Sequence, residues 1–472
     1  MKKINELNLD KKKIPTKVIQ FGEGNFLRAF IDWQIQQMNN QQLFNGGITI
    51  VQPIEKGMID YLEAQDNLYT VTLEGLLDGK KVQSDEVITS INNTINPYTD
   101  FSEYLELAEE DTIEVIFSNT TEAGITYDET DQKDAAPAKS YPGKLTQLLY
   151  RRFELGKAGF HIIPCELINY NGKKLKEIIL KYADLWELGT GFKEWIEKEN
   201  YFYGTLVDRI VPGFPHENKE EVFERIGYED NMLVKAEAFL LFVIEGNSKL
   251  AEVLPFKEAG LNVIITDDMQ PYRERKVRLL NGPHTTMTPL GLLAGIDTVG
   301  SVMNDEDFGQ FIQDEMTKEI SPIIDLPKDE LASYCEAIKE RFENPFVHHE
   351  LQSIALNSIS KYKTRLLPGV IQSLNETNKV PRRMVAALAA LLVIYGNYEE
   401  ITVQPVDGEE TIAKFKTLKA SNDYVHAVLN DQELWGEDLT QYPELETEVK
   451  DDVAFILAQG ARKLVQTINK NS

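Results

Sequence analysis

Two cysteines in a chain of 472 residues, Cys165 and Cys335, leave no disulfide framework and no zinc knuckle, a scarcity that fits a reducing compartment. Histidine is scarce as well. The six imidazoles (His161, His216, His284, His348, His349 and His426) show no ligand spacing, and the adjacent His348 and His349 would diverge by ~100° on a helix. No metal is therefore expected. Basic charge is in deficit: 49 Lys and Arg against 76 Asp and Glu give a net charge of −27, which argues against nucleic acid or an anionic membrane as partner. A long apolar run is missing too. The longest, Met384 to Tyr395, is far short of the about twenty residues that span a bilayer and reads as a buried helix. The N-terminal MKKINELNLDKKK is basic without an apolar stretch, so no signal peptide is expected and the chain reads as cytoplasmic.

What is present is ordinary globular composition, 42% apolar and 26% charged, in a chain too long for one core. The first half alternates between β and α. Lys17-Val-Ile-Gln-Phe21 runs into Gly22-Glu-Gly24, a helix from about Asn25 to Asn39 follows, and Ile48 to Val51 is the next strand. Strand, glycine turn, helix and strand within ~35 residues is the βαβ unit of dinucleotide binding. Gly22 would permit the tight turn, and Gly24 would let a pyrophosphate approach the helix N-terminus. The third glycine of the fingerprint is absent, and Ala29 is the small residue nearest its place. An acidic residue after the second strand would bind the adenosine ribose and favour NAD. Glu55 is the candidate, with no neighbouring arginine to take a 2′-phosphate.

Thr112 to Phe117 and His161 to Pro164 are further strands, each ending in a polar turn, Ser118 to Gly124 and Cys165 to Gly172. Both turns should rim the cofactor cleft, although Asn119, Glu122 and Asn171 also suit plain turn chemistry. The segment Val207-Asp-Arg-Ile210 places Asp208 beside Arg209, the makings of a structural salt bridge. Val263 to Thr266 is the last expected strand. From about Pro271 the period shifts to 3.6, with helices expected over Phe308–Met316, Leu326–Arg341, Leu351–Leu367, Arg382–Tyr395 and Val449–Gln466. The chain is thus expected to be α/β: a Rossmann-like N-terminal domain over 1–270 and a mostly α-helical substrate-binding and catalytic domain over 271–472.

The helical half opens on the most informative stretch, Lys276-Val-Arg-Leu-Leu-Asn-Gly-Pro-His284. On a regular helix its amine, amide and imidazole project at roughly 0°, 140° and 80°, which puts all three on one face. An amine that moves a proton and an amide that stabilises an alkoxide suit a carbonyl substrate. Pro283 is expected to bend the helix. Two basic clusters stand out in so acidic a chain: Arg273, Arg275, Lys276 and Arg278, and Lys361, Lys363 and Arg365. They are either solvated surface or a pocket for a carboxylate.

Five motifs occur in order: Phe21-Gly-Glu-Gly-Asn-Phe-Leu-Arg-Ala-Phe30, Ser118-Asn-Thr-Thr-Glu-Ala-Gly124, Ser140-Tyr-Pro-Gly-Lys-Leu-Thr146, Val207-Asp-Arg-Ile210 and Lys276-x4-Asn281-x2-His284. Together they resemble the mannitol dehydrogenase family, long-chain polyol dehydrogenases with a catalytic lysine and no metal. Pro164-Cys-Glu-Leu-Ile168 and Arg341-Phe-Glu-Asn-Pro345 are most similar to members that reduce a keto-sugar acid. The resemblance implies that Lys276 is the acid/base, with Asn281 and His284 beside it on the substrate oxygen. It implies an NAD site lined by Gly22, Gly24, Asn25, Phe26, Thr120 and Glu122, with Glu55 on the ribose. Asn171, Asp208, Lys363 and Arg365 make up the expected substrate group. Polyol-oxidising members carry Cys-Asp-Asn where this chain has Cys165-Glu166-Leu167, so the second oxyanion asparagine is absent, and Asn169 or Asn171 could replace it. The expected activity is NAD(H)-dependent interconversion of a keto-sugar acid and its hydroxy acid, with a neutral polyol as the alternative substrate. A homo-oligomer is compatible with this reading.

Overall fold

The chain was analysed as a computed structural model, which describes residues 1–472 except 8, 10, 12, 78, 122, 398–400 and 472. Twelve strands are described: β1 (Thr16–Phe21), β2 (Gly47–Val51), β3 (Tyr69–Leu77), β4 (Lys80–Ile88), β5 (Ile91–Ile95), β6 (Val115–Ser118), β7 (His161–Pro164), β8 (Tyr201–Phe202), β9 (Gly204–Asp208), β10 (Val234–Glu237), β11 (Leu241–Glu245) and β12 (Val263–Thr266). In β1, β2 and β6 the successive residues point to opposite faces yet nearly all are buried, because helices cover both sides. Val18, Ile48 and Val115 pack with Phe30 and Ile35 on one side. Ile19, Val51 and Ile116 pack with Leu145, Leu148 and Ile179 on the other.

These strands form a six-stranded sheet in the order β5-β2-β1-β6-β7-β8, with every neighbouring pair parallel. The chain builds outward from β1 through β2 to β5, then returns to the other side of β1 and continues through β6 to β8. The direction reverses between β1 and β6, and ligands of such sheets lie beyond the carboxyl ends of strands at that point. Two three-stranded sheets accompany it, ordered β10-β3-β4 and β12-β11-β9. The chain separates into two compact units, Met1–Glu74 with Lys81–Met269, and Gly75–Lys80 with Gln270–Ser472. The short piece Gly75–Lys80 differs from a single division at residue 270.

The second unit is helical, and the fold class is the one expected. Every residue from Met384 to Tyr395 is buried, within the helix Arg382–Asn397. Two expected helices are interrupted. The one over Leu351–Leu367 breaks at Asn357, in the left-handed region (φ 56°). The one over Val449–Gln466 breaks at Gly460, φ 85°, where a second helix, Ala461–Lys470, begins. No helix of the described residues is long and apolar enough to cross a membrane.

Candidate active site

In the first unit, the exits of β1 and β6 meet at the reversal point. Gly22 adopts φ 118° and donates its N–H to Val51 O at 3.1 Å. A Cβ there would lie 2.9 Å from Asn119 O, so the turn needs glycine both for its conformation and for the closeness of the β6 loop. Gly24 caps the helix that starts at Asn25, and a Cβ there would meet nothing within 4 Å. The position beside the helix start is therefore open, which leaves room for a pyrophosphate to approach the backbone there. Asn25 and Phe26 serve the turn itself: Asn25 Oδ1 accepts from Arg28 Nη2 at 2.7 Å, and the Phe26 ring stacks on Phe30 at 4.9 Å. Both were expected on the cofactor. Asn25 is nevertheless exposed and Phe26 only partly buried.

A buried carboxylate ties the β6 and β7 exits together. Glu166 accepts from Ser118 Oγ (3.1 Å), Thr120 N (2.9 Å) and Thr120 Oγ1 (3.0 Å), and burial pushes its pKa up. Thr120 thus shapes the loop rather than offering a free hydroxyl. Glu122 lies outside the described residues. Glu55 is exposed in the bend after β2, and its carbonyl accepts from the Gln52 amide at 3.1 Å.

Asn171 corrects the sequence reading. It is buried, and its amide nitrogen donates to Pro164 O, Glu166 O and Thr205 Oγ1 while its oxygen accepts from Gly172 N and Thr205 N. That exhausts an amide's bonding capacity, so no substrate group is left to it, nor can it replace the oxyanion asparagine. Asp208 is buried on β9, opposite Leu241 of β11. Its neighbour Arg209 bonds the carbonyls of Ala29, Ala238 and Phe239 and stacks over Trp33.

In the second unit, Lys276 ends the helix Gln270–Lys276, and Val277–Asn281 is a π-helical turn leading into the helix Gly282–Leu293. Gly282 N–H bonds Val277 O, five residues back. The regular-helix projection therefore does not apply. The wider turn takes up about one extra residue, so Asn281 comes round toward the side of Lys276 instead of lying roughly 140° from it. His284 follows three residues later in α geometry. Pro283, which has no N–H to give, is absorbed at the start of this helix. π turns are frequent at functional sites.

His284 has a buried Nε2 with no hydrogen-bond partner among the described residues. Its ring lies 4.5 Å from Phe342 and 5.1 Å from His349. Burial above all, then His349, Arg341, Arg365 and Lys361, hold its pKa well below the ordinary value, so the ring is neutral. The first basic cluster is largely neutralised: Arg275 pairs with Glu330, and Arg278 with Glu274 at 2.5 Å. The second is not. Arg365 is half-buried, bonds Thr285 Oγ1 at 3.4 Å, and among the described residues has no carboxylate partner. Lys361, one turn away on the same face, donates to Ile354 O at 2.8 Å. Lys363 points elsewhere, toward Glu433 O at 3.5 Å, because it lies roughly 200° round the helix from Lys361. Lys361 takes the place expected of Lys363, and the i, i+4 spacing of Lys361 and Arg365 was the signal for it. Among the described residues, no three His, Cys, Asp or Glu side chains are grouped to hold a metal ion.

The mannitol dehydrogenase Rossmann-domain model matches residues 16–257, and the mannitol dehydrogenase C-terminal-domain model matches residues 268–457. The chain belongs to the mannitol dehydrogenase family. An altronate oxidoreductase of Yersinia pestis is 42% identical over 479 residues, covering 98% of this chain and 99% of the relative. One from Bacteroides thetaiotaomicron is 45% identical over 478 residues, covering 99% and 100%. A substrate-free D-sorbitol dehydrogenase has a TM-score of 0.83 at 21% identity, covering 97% of this chain and 96% of that one. Pseudomonas fluorescens mannitol 2-dehydrogenase, in ternary complex with NAD and D-mannitol, has 0.69 at 20%, covering 98% and 96%. At such identity the likeness to the two solved family members is one of fold.

Proposed function

We propose that this family member interconverts D-tagaturonate and D-altronate with NAD(H), using lysine acid/base chemistry without a metal, as a step of hexuronate breakdown. The observation that carries the reading is Arg365, a half-buried guanidinium that among the described residues has no carboxylate of its own, next to the neutral His284, whose Nε2 is likewise unpartnered among them. A planar fork held that way suits a substrate carboxylate, whereas a neutral polyol would leave it unmatched. The altronate oxidoreductase relatives point the same way.

Gly22, Gly24 and the loop held by Glu166 would hold NAD(H), which when bound supplies or accepts the hydride. Protonated Lys276 would donate to the ketone oxygen during reduction and take the proton back in the reverse direction. Asn281, one turn above, would stabilise the developing alkoxide, and neutral His284 would donate to or orient the same oxygen. Arg365 and Lys361 would fix the carboxylate end and so align the carbonyl.

The decisive assay is NADH oxidation with tagaturonate, fructuronate and fructose. A clear preference for tagaturonate is expected; a preference for fructuronate would make the chain a mannonate-forming reductase, and one for fructose a mannitol 2-dehydrogenase. Prolonged EDTA treatment should leave the rate unchanged, and a loss restored by zinc would overturn the metal-free chemistry. Glu166→Ala should weaken NADH binding roughly tenfold in a fluorescence titration, because three hydrogen bonds shaping the β6 loop are lost. Unchanged affinity would remove that loop from the cofactor site.

A further inference from the structure

The back of the helix Gly282–Leu293 meets a buried carboxyl for which the proposed reaction has no use. Thr286, roughly 200° round the helix from His284, donates its hydroxyl to Glu315 Oε1. Glu315 opens a second π-helical turn, Glu315–Ile320, is fully buried, and has no partner for Oε2 among the described residues.

The cation facing it is bonded to other carboxylates, and only its Nε lacks a partner among the described residues. Arg383, on the helix Arg382–Asn397, gives its guanidinium to Asp314 Oδ2 at 2.9 Å and Glu319 Oε1 at 3.1 Å. Asp314 also takes Lys318 at 3.0 Å, and Glu319 also accepts the backbone N–H groups of Arg383 and Met384. Tyr362, on Ser358–Arg365, faces Glu315 but gives its hydroxyl to Met384 O at 3.0 Å. Among the described residues, three carboxyl groups thus surround one buried guanidinium, and Glu315 is the one without a cation at bonding distance. An ionised Glu315 would bury an uncompensated charge, whereas the neutral acid leaves only one hydroxyl unmatched, a far smaller desolvation cost.

We infer that Glu315 carries a proton in the folded chain and, as a neutral acid bonded to Thr286, positions the helix whose other side presents His284. Thr285, between the two, bonds Arg365, so this helix is gripped from both sides. The inference rests on the proposed reading of that helix as the catalytic one. Burial pushes the Glu315 pKa up to about 8 from 4.5, which fixes the sign of the pH effect. Between those values the folded chain holds a proton that the unfolded chain has released, so this contribution to stability is complete below 4.5, declines as pH rises, and is gone above about 8.

The test compares wild type, Glu315→Gln and Glu315→Ala. Gln mimics the neutral acid, so its Tm relative to wild type should climb steadily from pH 5 to pH 8. Its turnover at pH 7 should stay within about threefold of wild type, and the wild-type loss of kcat near pH 8 should move up by at least one unit. Ala should lower kcat by about tenfold or more with KM little changed, and Gln should restore it. A Tm difference independent of pH would overturn the buried proton. Equal turnover of Gln and Ala, or an alkaline limb identical in wild type and Gln, would overturn the positioning role. A pH-dependent Tm difference in a protein inactive on every ketohexuronate would uphold the proton and count against the proposed reaction instead.

Discussion

Exchange of Lys276 for methionine is expected to lower the turnover number by about 10³-fold or more while leaving NADH binding and the melting temperature near wild type. Methionine keeps the length and most of the volume of the lysine stem but cannot carry a proton, so what is lost is the acid/base step. Lys276 is half-buried at the end of its helix, where the exchange opens no cavity in the core. The glycine turn and the Glu166 bracket belong to the other unit, so the cofactor affinity should survive. NADH oxidation under saturating ketohexuronate, with a parallel NADH titration, checks both halves of the expectation. Retention of more than a tenth of wild-type turnover would remove Lys276 from the chemistry. Asn281→Ala should cost less, about 10²- to 10³-fold, because one preorganised donor is lost rather than the proton source.

Replacing Arg365 with leucine should cut kcat/KM for tagaturonate by roughly ten- to a hundredfold, the equivalent of about 1.5–3 kcal/mol for a charge-assisted hydrogen bond. The same exchange should alter the small activity on fructose less than about threefold, since a neutral sugar has no carboxylate to lose. Lys361→Leu should act in the same direction more weakly. Lys363→Leu is the internal control: its amine lies toward Glu433 O, and little effect on either substrate is expected. Equal losses on tagaturonate and fructose would mean that Arg365 supports the fold and that the carboxylate is bound elsewhere.

Much of the fold could be read from short-range signals. The strand–glycine–helix–strand unit was legible because β1 and β2 are compact apolar runs punctuated by Gly22, which only its unusual backbone angle and the nearby Asn119 carbonyl require. The hairpin of β3 and β4 was not. β3 is buried on both faces for most of its length and so shows no alternation, and β4 is largely exposed and rich in Lys, Gln, Asp and Glu. Helix ends are hidden in the sequence where a single positive-φ residue, Asn357 or Gly460, stops a pattern whose apolar period continues beyond it. In the site, residue types were legible and their orientation was not. Lys361, Lys363 and Arg365 are near neighbours in sequence, but only Lys361 and Arg365 share a face of the helix. Asn171 is a polar residue in a polar turn, and only the crossing of β7 and β9 around it reveals that its amide is fully used.

The π turn at Val277–Asn281 changes how the lysine–asparagine spacing should be compared between proteins. In chain length, such a turn is one residue more than an α-helix needs to cover the same path. A lysine and an asparagine four apart on a regular helix and the same pair five apart across a π turn therefore present their side chains on the same side. An alignment that counts positions records the second as an insertion inside the motif and scores it as damage. Counted in turns, nothing has been inserted between the two functional groups. The extra residue instead shifts where Leu279 and Leu280, both buried, meet the interior. Deleting one residue here is thus expected to disturb core packing before it separates Lys276 from Asn281.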